Sequence, residues 1–133
     1  MSPEAARDER AKRIEAIEGG YELMLGYAAK GFATDEGAAN SGQLRDHLKR
    51  FDEALTGLAE FYRAFAAVTG HGPAGAIDGF LAVLARDAAD AQAALRMVIS
   101  QKGISSQLVD NLNASIHVRA LLTDVFLIDE LVK

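Results

Sequence analysis

Apolar positions in this chain recur with one spacing, and the clearest run lies between Leu44 and Val68. They stand at Leu44, Leu48, Phe51, Leu55, Leu58, Tyr62 and Phe65, in steps that alternate between four and three. Phe61 and Val68 widen the stripe at its far end. A repeat averaging about 3.5 residues puts one continuous apolar seam on an α-helix of about seven turns. So long a seam must be covered, and the rest of the chain supplies the cover.

Ahead of it, Ile14, Ile17, Tyr21, Met24 and Ala28 keep the same spacing. Ser2, Pro3 and Glu4 read as an N-cap, a first-turn proline and a first-turn acid, and Gly31 as a C-terminal stop. Gly19-Gly20 costs about 2 kcal/mol of helix propensity. It predicts a kink, a close neighbour or two shorter helices. The turns before Ile14 hold mostly charged residues and alanine, and are expected to fray or project. Residues 31–41 have loop chemistry, with Asn40 or Ser41 as cap for the next helix. Gly70-His71-Gly72-Pro73 then ends the Leu44 helix.

Further on, Ile77, Leu81, Leu84, Ala88, Ala91, Leu95 and Val98 repeat the pattern around an alanine-rich centre. Gly103 stops that helix, and Ser105 or Ser106 caps a last one running to about Val132. The expectation is a single all-α domain, residues 1–133, with helices at about 3–30, 42–69, 74–102 and 105–132. Short second and third connections make it an antiparallel up-down-up-down four-helix bundle.

Composition narrows the function classes. At 133 residues with half of them hydrophobic, the chain can bury a core without metal or disulfide. It contains no cysteine, which removes thiolate sites and nucleophiles and fits a reducing compartment. A net charge of −5 speaks against nucleic acid as partner. The cluster Arg7, Arg10, Lys12 and Arg13 is interleaved with Glu4, Asp8, Glu9 and Glu15 and reads as a solvated, salt-bridged face. No segment has the ~18 uninterrupted apolar residues of a membrane span, and Met-Ser-Pro-Glu opens no signal-peptide core. The expected location is cytoplasmic.

Candidate chemistry is sparse. In an up-down bundle His47, His71 and His117 fall at different levels and cannot share one metal. None has a glutamate three residues before it, so the di-iron carboxylate pattern fails. Haem ligation by His117 or Met97 has no attachment motif behind it, and Leu48 and Phe51 crowd His47 as a phosphorelay histidine. The glycines fit no phosphate loop. No metal or organic cofactor is implied, and no catalytic signature is present.

Two features of the last helix stand out. Asp110, Asn111, Asn113, Ser115, His117 and Arg119 alternate with Leu112, Ala114, Ile116 and Val118, scattering polar groups around every face. Extending the seam from Leu108 turns Asn111 and Ser115 inward against Ala88 and Ala91. One reading is a satisfied polar network that fixes helix register. The other is a small-molecule pocket lined by Tyr21, Tyr27, His47, Arg96, Asn111 and Ser115.

The second feature is the tail from Ala120 to Val132, apolar on almost every face. Val118, Leu121, Val125, Ile128 and Val132 form a stripe additional to the first, with Phe126 beside it. Apolar surface beyond one seam points to an interface through these residues: a homo-oligomer, most economically a two-fold dimer, or a protein partner. The functional expectation is a non-enzymatic helical interaction protein, an adaptor, regulator or subunit of an assembly. The alternative is a small-molecule-binding bundle, a sensor or small enzyme.

Overall fold

The computed structural model of the protein describes residues 1–37, 41–71 and 75–133. It is all-helical: six helices and no strand among the described residues. They are α1 (Pro3–Ala29), α2 (Ser41–Leu55), α3 (Leu58–Val68), α4 (Gly75–Ile99), α5 (Ser106–Ala114) and α6 (Ile116–Val132). Each of α1 and α4 stands where one helix is expected; the second and fourth expected helices are each divided in two. None of the described helices is long and apolar enough to cross a membrane.

Sequence signals account for most of the ends. Ser2 Oγ accepts the Ala5 N–H at 3.1 Å, Pro3 opens α1, and Gly31 leaves it with φ of +69°. Gly19 and Gly20 do not interrupt α1. Gly20 serves close approach: a Cβ there would lie 2.6 Å from the Phe51 ring, whereas one on Gly19 would make only ordinary contact with His47. Ser105 caps α5 by accepting the Leu108 N–H. The expected caps Asn40 and Ser41, and the Gly72-Pro73 part of the break before α4, lie outside the described residues and side chains.

The Leu44 seam is buried along its whole length, yet the helix carrying it breaks at Gly57, whose φ is +68°. Long side chains from neighbouring helices take up the carbonyls freed there. Arg13 donates to Ala54 O at 2.9 Å and Thr56 O at 2.7 Å, and Gln92 donates to Asp52 O at 2.9 Å. Carbonyls freed beside the core need partners, and Arg13 and Gln92 supply them. The N-terminal turns are helical from Pro3 and dock on the body. Ala6 is buried, and Arg10 grips Asp129 of α6 through two hydrogen bonds of 2.6 and 2.5 Å. Within the basic cluster read as a solvated face, Arg10 and Arg13 are structural anchors.

The second break falls at Ser115, which is extended (φ −62°, ψ 147°). Its N–H closes α5 on Leu112 O, and its Oγ caps α6 by accepting the Val118 N–H. One residue thus ends one helix and starts another. Around the core, α1 packs on α2, α3 and α5, while α4 packs on α2, α3, α5 and α6.

At one end the α1–α2 and α4–α5 connections are locked together. Asp35 accepts Arg45 Nε at 2.8 Å and the Ile104 N–H at 2.7 Å. Arg45 also donates to the carbonyls of Ile99, Gln101 and Lys102, which serves the unpaired C=O groups at the end of α4. Gly103 lets the two connections meet, since a Cβ there would be 2.6 Å from Thr34 Oγ1.

Candidate functional site

The six residues expected to converge on a pocket do not share one. Tyr27 is buried and donates its hydroxyl to Ile104 O at 2.6 Å. His47 is half-buried and donates from Nδ1 to Gln43 O, one turn back on α2. It faces a small groove of about 220 Å³ with Lys12, Glu15 and Arg50. Arg96 is exposed and paired with Asp52 at 3.1 Å. Asn111 is exposed and bonded to Gln107, and Ser115 is the shared cap described above. Because α5 ends at Ala114, no seam carries Asn111 and Ser115 inward together. Ala88 and Ala91 are buried in the core. The three histidines stay apart, and among the described residues no group of three potential ligands could hold a metal.

Tyr21 alone of that set lines a larger groove. About 380 Å³ in volume, it lies between α1, α5 and α6, and is edged by Asp110, Asn113, Arg119, Thr123 and Phe126. Asn113 Oδ1 is buried without a hydrogen-bond partner.

The interface stripe needs correcting more sharply. Val118, Leu121, Val125, Ile128 and Val132 are buried within the chain; they are the inner seam of α6, not its outer face. The cause is the break at Ser115. An uninterrupted helix that buried Val109 and Leu112 would continue its seam through Ile116, Ala120, Thr123 and Phe126 or Leu127, in steps of three and four. The extended Ser115 resets that phase. The Val118 stripe turns inward and the Ile116 stripe turns out.

Phe126 is the one expected interface residue that is exposed, at 56%, and the structure adds Leu127 at 59% and Leu131 at 56%. Four of the eight large hydrophobic residues found exposed among the described residues lie on α6, Ile116 being the other. Leu127 and Leu131 also face the first turns of α4, where Ala76, Ile77 and Phe80 line a groove of about 310 Å³. Single exposed hydrophobics need no explanation, but a contiguous set on one helix is a candidate interaction surface. No protein-family model, curated protein or solved structure matches the chain. The surface itself carries the functional argument.

Leu127 and Leu131 could have been found in the sequence. A tail that is apolar all round must expose one side, and only the phase at Ser115 decides which.

Proposed function

We propose that this protein is a non-enzymatic helical interaction protein that associates through the outer face of α6, in the simplest case with another copy of itself. The observation that carries this reading is the run Phe126, Leu127 and Leu131, each more than half exposed and continuous with Ala76 and Phe80 of α4. In this reading α2 with α3, and α5 with α6, act as two broken legs of an up-down-up-down bundle. The anchors Arg10–Asp129 and Arg45–Asp35 hold those legs rigid, so the apolar face is presented in a fixed shape. A preformed face binds without the ordering cost that a flexible one incurs.

Native mass spectrometry with light scattering tests it. The expected result is a whole-number multiple of the chain mass, or a stable complex with another protein. Phe126→Asp and Leu131→Asp should split that assembly and leave helix content and Tm nearly unchanged, because neither side chain is in the core. An isolated chain at all concentrations with no retained partner overturns the reading. A second reading, a small-molecule site, rests on the 380 Å³ groove, where the Tyr21 and Arg119 side chains and the unpartnered Asn113 Oδ1 meet. Its mark would be an added small mass per chain under the same gentle conditions.

A further inference from the structure

Resting on the association reading above, we infer that the occupant of the α6 face is a second copy of this chain, with its own α6 lying antiparallel across the first. One exposed line of α6 runs Ile116, Arg119, Thr123, Phe126, Glu130 and Lys133, in steps of three and four. Every one of these residues is exposed. This is the spacing by which one straight helix seats along another. A two-fold axis crossing the line midway between Asp124 and Val125 relates positions equally distant on either side. It sets Arg119 on the partner's Glu130, Thr123 on the partner's Phe126, and Ile116 on the partner's Lys133.

Charge selects this arrangement. Arg119 is exposed and forms no ion pair among the described residues. Glu130 is exposed and, among the described residues, is paired only with Lys133, three residues along the same helix. An antiparallel pair gives each guanidinium a carboxylate, twice over by symmetry. A parallel pair stacks Arg119 on Arg119 and Glu130 on Glu130, a repulsion at both ends of the contact.

Size selects it as well. In the antiparallel pair the bulky ring of Phe126 meets the small Thr123 of the other copy, whereas a parallel pair sets Phe126 on Phe126. Turning one copy end for end repeats that large-on-small contact on both sides of the axis, as a two-fold interface must. The helix dipoles also oppose each other in this orientation.

The chain's lack of cysteine makes the orientation directly readable. Arg119→Cys and Glu130→Cys are prepared separately, then oxidised alone and as an equimolar mixture. In the antiparallel pair each introduced thiol is about 16 Å along the axis from its own symmetry mate, at ~1.5 Å per residue. That is beyond disulfide reach. Neither variant should cross-link alone, and the mixture should give a covalent dimer. A parallel pair reverses the result, each variant cross-linking with itself. Charge reversal gives a second readout on the native contact. Arg119→Glu or Glu130→Arg alone should weaken the dimer about tenfold, and the double reversal should restore it. A dimer that Phe126→Asp splits, but that ignores both charge reversals or cross-links within one variant, overturns this arrangement and leaves the association reading standing. A wild-type chain that never associates overturns both.

Discussion

Two aspartates are buried among the described residues, and the protein meets the cost of burying them in opposite ways. Asp35, 1% exposed, sits at the α1–α2 connection against the Arg45 guanidinium and the Ile104 N–H. Asp124, 7% exposed, lies on the inner side of α6 and faces another acid, Asp87 of α4. Its Oδ2 has no hydrogen-bond partner. Burial, then the hydrogen bond to Asp87 and the charge of that residue, push the Asp124 carboxyl up to about 7. A buried carboxyl group can be compensated by a cation and donors or by a proton. The first solution ties loops together at any neutral pH, and the second makes one helix contact depend on pH.

The largest effect is expected at Asp35. Asp35→Ala removes the carboxylate from Arg45 and leaves the Ile104 N–H unpaired in a buried position. Urea unfolding should show a loss of about 2–3 kcal/mol, below the full value of a buried pair because Arg45 is a quarter exposed. A loss under about 1 kcal/mol would mean that water replaces the carboxylate and that the two aspartates do not differ as described.

Asp124 should respond with the opposite sign. Asp124→Asn keeps the shape and the capacity to bond Asp87 but carries no charge to desolvate. It is expected to stabilise the fold by at least about 1 kcal/mol at pH 8 and to be close to neutral at pH 4. The sign follows from linkage. A carboxyl whose pKa is about 7 when folded and about 3.9 when unfolded binds more protons in the folded state. Its stabilising contribution is complete below about pH 4 and is lost as pH rises through 7. Subtracting the Asp124→Asn unfolding curve from that of the wild type isolates this group from the other carboxylates. The difference should grow from pH 4 to 8 and then level off. A flat difference would place Asp124 with Asp35, as a carboxylate whose burial is met without a proton.

Neither solution is visible along the chain, and the reason is the same in both cases. Asp35 stands in a stretch whose Gly, Asp, Asn and Ser content identifies a connection, but Ile104 follows 69 residues later. Asp124 interrupts an apolar tail, and nothing local pairs it with Asp87, which lies beside the Leu84 and Ala88 seam of α4. What could be read was periodic. The Leu44 seam, the Ser2 and Ser105 caps and the all-helical class follow from local spacing and capping chemistry. What was lost is phase and pairing. Gly57 and Ser115 each break a helix without breaking its apolar period enough to show. The break at Ser115 exchanged the inner and outer stripes of α6, so Phe126 was found and Leu127 and Leu131 were not. The pocket set of Tyr27, His47, Arg96, Asn111 and Ser115 presupposed the same unbroken helix and came apart with it.

The smallest expected effect separates the pair from its setting. Asp87 is half-buried, so losing its own charge matters less than what it presents to Asp124. Asp87→Asn replaces a facing acid with an amide whose NH₂ can donate to the Asp124 carboxylate, and it removes the facing negative charge. Both changes favour the ionised form of Asp124 and draw its pKa downward. The variant should gain about 0.5 kcal/mol near pH 8. It should also lose part of the slope of stability against pH between 5 and 8. Burial, the leading cause of the raised Asp124 pKa, remains in the variant, so some slope must survive. If the slope vanished entirely, the acid–acid contact would be its whole origin. If it did not change, burial of Asp124 alone would set the pH dependence, and Asp87 would be a bystander on α4.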